Sequence, residues 1–520
     1  MPLTTDIFNL YSSRRLSLLE KNRTDPGKYQ RELFSYLIQS GSGSSFGKEH
    51  RFDAIKDINE FQQNIPLRDY DAFEPYIERL RRGEDYVLWN SRVKWFAKSS
   101  GTSSSKSKFI PVTEESLQQC HFEGFKKMLA SYMDSNPQSR LLEGKSLTLG
   151  GSAKIDEIGN GKSQTGDLSA ILLKNSPPWV EIKRVPEKSI ALMPDFEAKI
   201  ARIAQLADSY DVTNFSGVPS WNLILINKIL EHTGKKDMKE VWPNLELFMH
   251  GGINFDPYRE IYRRLIPDTG MNYRENYNAS EGYFGFQDDP SEESMLLLTN
   301  NGIYYEFIPM DMLVRALEGS YNSFETVESV KKGVNYALVI STNGGLWRYL
   351  VGDCIIFTSL KPHKFVISGR TQLYINAFGE ELMISNAEKA LARSCSICNA
   401  EVLNYTVGPL FMQEKGKGSH QWVMEFSRPP ADIEEFANVL DESVSLFNSD
   451  YEAKRQKNAT MKRLTITPVS RGVFYMWMRE RGKLGGQNKV PRLSNNREYV
   501  EQLIDIESKG DIFDKGEEGV

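Results

Sequence analysis

Residues 99–108 read SSGTSSSKSK: six serines, one threonine, one glycine and two lysines. Strands are expected on both sides, over 93–97 and 109–112. A loop of this kind has little to bury and offers many N–H, O–H and ammonium donors. A polyphosphate is the anion that gives such donors partners. A flexible, Ser-rich surface loop is the other reading of the same residues. The P-loop pattern GxxxxGK[ST] is absent, so an ordinary P-loop nucleotidase is excluded. Two further segments carry candidate chemistry. In YNASEGYFG (277–285), Tyr277 could stack on a purine and Glu281 could hold a cation; a plain surface turn accounts for the same residues. In WRYLVGD (347–353), the glycine lets the chain turn between two strands, leaving Asp353 at a strand edge. A carboxylate there can accept both hydroxyls of a ribose, or can simply cap a turn. A last segment, ISGRTQLYINAFGEEL (367–382), carries Arg370 and a glycine beside two acids.

The elements that must position these groups alternate between helical and strand-like along most of the chain, which predicts an α/β class. Two helices are expected over 6–40. Thr113 is the expected N-cap of the helix that follows the Ser-rich segment, with Glu114 and Glu115 in its first turn, where carboxylates suit the helix dipole. Helical periodicity covers 196–210 and 220–232; strands are expected at 245–249, 294–299, 336–341 and 354–359. The composition changes near 368–379. Beyond it a small α+β module is expected, with helices over 385–393 and 432–447 and strands near 402–407 and 421–426. Between Tyr451 and Arg492 stand eleven Lys or Arg and two acids, Glu452 and Glu480. That run reads as a local positive patch or as a solvated face. The polar, Gly-rich tail from Glu507 is expected to be disordered.

A chain of 520 residues suffices for two to four domains. Its net charge of −5 gives no nucleic-acid-like field, and no apolar run approaches a membrane span. Neither nucleic acid nor membrane is therefore an expected partner. The amphipathic, charge-interrupted first residues do not read as a signal peptide, which makes a cytoplasmic location the default expectation. Of four cysteines, Cys395 and Cys398 form a CxxC with no second ligand pair, and are expected to be two ordinary thiols on one helix. The absence of HExxH removes support for zinc-protease chemistry.

The ordered set SSGTSSSKSKFIP, YNASEG, WRYLVGD and GRTQLYINAFGEEL resembles the adenylate-forming superfamily of acyl-CoA synthetases and luciferases. More closely, it is similar to the bacterial branch of the auxin-responsive Gretchen Hagen family of acyl acid–amido synthetases, from FGKEHRFD (46–53) to KVPRL (489–493). Thr371 and Gln372 follow Arg370 where many superfamily members carry an Asp or Lys hinge residue, which fits the amido-synthetase branch. The resemblance implies a large N-terminal α/β domain over 1–369, a hinge at 370–376 and a small mobile α+β domain over 377–506. It implies an enzyme that adenylates a carboxylic acid with ATP and Mg²⁺ and passes the acyl group to an amino acid; acyl-CoA synthesis and a non-catalytic nucleotide-binding protein are the rivals. Ser99, Ser100, Thr102, Ser103 and Lys108 would cradle the phosphates, Glu281 would bind Mg²⁺, and Tyr277 would line the adenine pocket. Asp353 would hold the ribose, Arg370 would contact ribose or phosphate, and Lys489 would reach the α-phosphate. The basic 451–492 run would close over a polyanion. Val218, Trp221, Phe248, Gly251 and Gly252 are the candidates for the acyl pocket, with core packing an equal reading for Trp221 and Phe248. His250 is a candidate base for the amine or a structural histidine.

Overall fold

The computed structural model describes residues 3–99, 108–151, 153–155, 163–253, 255–371, 374–375, 377–378, 380, 382–411, 418–455, 461–484, 490–494 and 496–509. The chain divides into two compact units, one of 1–252 with 263–367, the other of 253–262 with 368–520. The helices used below are α1 (Leu3–Thr24), α2 (Pro26–Gly41), α3 (Glu123–Ser135), α4 (Phe196–Leu206), α5 (Pro219–Thr233), α6 (Ile384–Ile397), α7 (Ile433–Phe447) and α8 (Glu498–Lys509). Their ends follow local chemistry. Asp25, Asp195 and Asp432 cap α2, α4 and α7 by accepting from backbone N–H groups of the first turn. Helix α5 opens with Pro219 and stops at Gly234, whose φ of 68° suits a residue without Cβ. Helix α8 runs through Lys509, three residues into the segment expected as a tail; residues 510–520 lie outside the described ones.

The strands of the first unit are β1 (Trp95–Ser99), β2 (Lys108–Val112), β3 (Lys145–Thr148), β4 (Ala153–Ile155), β5 (Gln164–Gly166), β6 (Arg184–Val185), β7 (Val212–Gly217), β8 (Leu247–His250), β9 (Asn272–Ala279), β10 (Gly282–Phe286), β11 (Met295–Leu297), β12 (Ile303–Pro309), β13 (Asn335–Thr342), β14 (Tyr349–Leu360) and β15 (His363–Arg370, its last three residues in the second unit). A four-stranded sheet runs β2-β1-β5-β4. A second sheet of eleven strands runs β12-β13-β14-β15-β11-β10-β9-β8-β7-β3-β6. Its β6-β3-β7-β8-β9 half is parallel, and the β9-β10-β11-β15 and β14-β13-β12 pairings are antiparallel.

The antiparallel half is strongly curled. Strands β10 and β12 stand five places apart, about 24 Å in a flat sheet. Yet Phe284 and Tyr305 have ring centroids 6.3 Å apart, and a Cβ on Gly282 would lie 2.5 Å from Ile303. The curl buries an aromatic core that includes Tyr277, Phe284, Phe286, Tyr305, Phe307 and Phe365. Helices α1 and α2 tie to it through two amides. Asn22 donates to Leu297 O and accepts from Thr299, and Gln30 donates to Thr299 O and Ile303 O while accepting from Tyr305 N–H.

The second unit carries β16 (Tyr374–Ile375), β17 (Leu382–Met383), β18 (Glu401–Leu410), β19 (Ser419–Arg428) and β20 (Thr465–Val469). Strands β16 and β17 form a small hairpin, and β18-β19-β20 form a sheet that shares a core with α6 and α7.

Candidate active site

Strands β1 and β2 form a hairpin whose last register pair is Ser99 opposite Lys108. Both residues are half-buried. The backbone at the mouth is fixed by Phe109 N–H donating to the Tyr70 hydroxyl at 2.8 Å, and the Lys108 ammonium lies 5.8 Å from the Tyr70 ring. The two ends of the Ser-rich segment are thus held side by side. Ser100, Thr102 and Ser103 lie outside the described residues. After β2, the Thr113 hydroxyl accepts from Ser116 N–H at 3.0 Å, the capping expected from sequence, and itself donates to Asn343 O.

The next turn, Ser116–Phe122, is π-helical, a wide turn that often marks functional sites. It sets His121 against the second motif: His121 Nδ1 lies 2.8 Å from Asn278 Oδ1. Burial pushes the His121 imidazole down to about 4, so it is neutral near pH 7 and its Nδ1–H donates to the amide oxygen. Further along α3, the Lys127 ammonium donates to Asn300 Oδ1 at 2.8 Å and Asn301 Oδ1 at 3.2 Å, and burial lowers it to about 8.

Tyr277 and Glu281 belong to the β9–β10 hairpin. Ala279 pairs with Gly282, so Ser280 and Glu281 form its two-residue turn, with Glu281 half-buried. Tyr277 lies inside, its ring 4.5 Å from Phe284 and 6.2 Å from Phe365.

Asp353 is not at a turn between two strands, as the sequence suggested. WRYLVGD leads straight into one long strand, β14, and Asp353 sits in a bulge within it. Val339 faces Leu350 and Ala337 faces Cys354, so β14 spends four residues where β13 spends two. Gly352, at φ 91°, supplies the left-handed conformation the bulge needs. The bulge turns the carboxylate inward, where Tyr277 O–H donates to Asp353 Oδ2. Strands β9 and β14 stand four places apart, about 19 Å in a flat sheet, so the curl of the antiparallel half creates this contact.

The strand leading to Asp353 is anchored by a pair the sequence reading left unassigned. Arg348 and Glu306 have fully buried side chains 3.1 Å apart. Arg348 also donates to Gln62 O and Ile65 O, and Gln62 Nε2 donates to Glu306. The one acid in the apolar strand IYYEFIP was the available signal for it.

The acyl-pocket candidates gather at the carboxyl edge of the parallel half, where open α/β sheets bind ligands. Gly217 and His250 are register partners at the ends of β7 and β8. Val218 precedes α5, and Trp221 on α5 packs edge-on against Phe196 at 5.0 Å. Phe248 is fully buried and stacks on Phe215 at 4.2 Å. His250 is buried beside Phe248, and its carbonyl accepts from Asn276 Nδ2. A Cβ on Gly251 would lie 2.3 Å from Asn276 O, so this glycine is required by the close approach to β9; Gly252 comes next at φ 86°.

In the second unit, Arg370 closes β15 and is half-buried. The hairpin beyond it is held by Glu380, whose fully buried carboxylate accepts from Ala377 N–H, Phe378 N–H and His420 Nε2. Lys489 lies outside the described residues. The basic run of 451–492 is not a bare patch. Arg455 is bidentate on Asp441, Arg463 pairs with Glu434, Arg471 donates to Ser427 O, Arg481 stacks on Trp477, and Arg492 is buried against Tyr405 and Tyr258. Two of these charges, Arg455 and Arg463, are neutralised by acids of α7, which a local reading of the run does not include. The CxxC splits between the end of α6 and its cap, and burial pushes the Cys395 thiol up to about 12. Among the described residues, no group of three His, Cys, Asp or Glu could hold a metal ion, and no helix is long and apolar enough to cross a membrane.

A parallel-to-antiparallel sheet followed by a small α+β unit is a fold shared with solved ligases. The solved AtGH3.15 acyl acid amido synthetase, in complex with 2,4-DB, superposes with a TM-score of 0.78 at 18% identity, over 95% of this chain and 96% of that one. A 2-hydroxyisobutyryl-CoA ligase in its postadenylation state shares the fold at a TM-score of 0.60, 14% identity and 94% coverage of both chains. Three domain families match in order: the GH3 family N-terminal domain over 15–271, the central domain over 296–370 and the C-terminal domain over 385–498. The chain belongs to the GH3 family. Relatives include an indole-3-acetic acid-amido synthetase of Oryza sativa subsp. indica, 23% identical over 94% of this chain and 92% of that protein. A jasmonoyl–L-amino acid synthetase of Nicotiana attenuata is 24% identical over 90% and 91%.

Proposed function

We propose that this protein is an ATP-dependent acyl acid–amido synthetase. It joins a carboxylic acid to AMP with loss of pyrophosphate, then transfers the acyl group to the amine of an amino acid with loss of AMP. The observation that carries the reading is the meeting of Tyr277 with Asp353 inside the curled sheet of a GH3 family member. A carboxylate is a poor acylating agent because oxide leaves badly; AMP leaves well. The protein's task is to hold the in-line approach and to offset charge gathering on the triphosphate.

Ser99, Ser100, Thr102, Ser103 and Lys108 donate to the β- and γ-phosphates. Tyr277 lines the adenine pocket, Asp353 accepts from the ribose hydroxyls, and Arg370 contacts ribose or phosphate. Lys489 reaches the α-phosphate as the second unit swings about 370–376. Glu281, at the tip of the β9–β10 hairpin, would bind a Mg²⁺ ion together with substrate phosphates. Such an ion would screen the α-phosphate. Val218, Trp221, Phe248, Gly251 and Gly252 shape the acyl pocket. A cytoplasmic location fits a ligase that consumes ATP.

ATP–pyrophosphate exchange across aryl, indolyl and fatty acids, with Asp353→Ala as control, tests the first half. Acid-dependent exchange lost in the variant is expected; ATP binding without exchange for any acid overturns the enzymatic reading. Release of AMP on adding amino acids, and not on adding CoA, identifies the acceptor. Arg370→Pro should impair at least one half-reaction; unchanged rates in both would remove the hinge.

A further inference from the structure

Tyr277 meets Asp353 through its hydroxyl, and an adenine-lining ring has no need of a hydroxyl. The phenol is buried, at 7% exposure, and so is the carboxylate, also at 7%. The O–H donates to Asp353 Oδ2 across the curled sheet. The ring itself is set in the aromatic core beside Phe284 and Phe365 and is a rigid support for the donor. Asp353 receives this donation. It stands in a two-residue bulge next to Gly352, where the regular ladder that would fix its backbone is interrupted. A carboxylate can accept about four hydrogen bonds, so donation from a phenol is compatible with accepting from vicinal hydroxyls.

We infer that Tyr277 is a positioning residue: its hydroxyl orients the Asp353 carboxylate toward the ribose 2′- and 3′-hydroxyls of the nucleotide. The role rests on the ATP-site reading of Asp353 and adds to it a specificity device for ribose. The orienting bond is worth most when both ribose hydroxyls are present, because two acceptor directions must then be satisfied together.

The experiment is ATP–pyrophosphate exchange with ATP and with 2′,3′-dideoxy-ATP, for the native protein, Tyr277→Phe, Asp353→Asn and the double variant. Tyr277→Phe removes one oxygen and keeps the ring, and its melting temperature is recorded beside the native one. The expected result is a rise of about tenfold in KM for ATP, the scale of one hydrogen bond to a charged group, with little change in KM for the dideoxy nucleotide. In the Asp353→Asn background the same substitution should add less than about threefold, since coupled neighbours are non-additive. An equal penalty on both nucleotides, or an additive penalty in the double variant, overturns the inference, because the hydroxyl would then serve the core or the base. If Tyr277→Phe is too unstable for the exchange assay, equilibrium binding of ADP and 2′,3′-dideoxy-ADP to Tyr277→Phe and the native protein, at a lower temperature where the variant is folded, reads the same selectivity. Asp353→Asn without any change in ATP affinity would instead refute the ribose reading itself, a result distinguishable from failure of the tyrosine's role.

Discussion

The two halves of the large sheet place functional groups by different means. The parallel half works with strand ends. β7 and β8 stop at the register pair Gly217–His250, and the chain beyond them contributes mainly backbone: Val218 entering α5, and Gly251 passing within contact of β9. The antiparallel half works with a hairpin turn and with strand interiors. A two-residue turn presents Glu281, a bulge turns Asp353 inward, and the curl brings Tyr277 to it. Strand ends suit a pocket whose shape is set by side-chain volume and close backbone approach. Strand interiors suit polar groups that must be held in one orientation. The antiparallel half carries a buried ion pair, Glu306–Arg348, whose arginine comes just before the strand that bears the bulge.

That difference predicts where substitutions hurt most. Arg348→Met leaves the Glu306 carboxylate buried without its counter-charge and should lower stability by about 3–5 kcal/mol, read by urea unfolding. Adding Glu306→Met should recover a large part of the loss, since an apolar pair avoids the stranded charge. A single variant as stable as the native protein would show the anchor to be dispensable. Asp353→Ala comes next. Two hydrogen bonds to a charged acceptor, each about 1.5–3 kcal/mol, predict a fall in kcat/KM for ATP of a hundredfold or more, with the melting temperature within a few degrees of native.

Much of this frame was readable beforehand, for a physical reason. The capped helices α2, α5 and α7, the β13 strand YALVIS and the Thr113 cap all depend on residues close in sequence, and local chemistry decides them. The features that escaped depend on chain far away. Asp353 was expected at a turn because Gly352 suggests one, but β13 pairs on both sides and converts the turn into a bulge. Arg455 and Arg463 of the basic run looked unopposed because their partners, Asp441 and Glu434, are on another element, α7. Glu306 and His420 show no motif, and Glu380 lies in one with no role assigned to it; burial beside a partner gives all three their meaning. The tip of the Ser-rich loop and Lys489 are assigned through resemblance alone.

His121 sharpens the comparison from the helical side of β9. Its imidazole falls to about 4 in the folded protein because burial disfavours the cation, against about 6.5 in the unfolded chain. The unfolded state therefore binds the proton first. The native state keeps its full stability above about pH 6.5 and loses it as pH falls toward 4, by up to about 3 kcal/mol from this residue. His121→Gln keeps a donor for Asn278 and should flatten that part of the stability–pH curve. An unchanged slope between pH 6.5 and 4 would mean that other groups carry it.

Gly251→Ala probes the parallel half and should give the smallest of these effects. The added methyl would begin 2.3 Å from Asn276 O, closer than any real contact, and the obstacle is backbone rather than a side chain able to swing away. Either β8 or β9 must shift by about 1 Å to restore van der Waals contact, at a cost of about 1–3 kcal/mol. The shift acts on the strand that carries Tyr277 one residue further on. If the two halves are mechanically coupled through β9, Gly251→Ala raises KM for both the acid and ATP. If they are independent, only the acid is affected, and Asn276, whose side chain donates to His250 O while its own carbonyl faces Gly251, absorbs the strain locally. Measuring the two KM values in one exchange assay separates these outcomes and shows whether strand ends and strand interiors are independent designs or one.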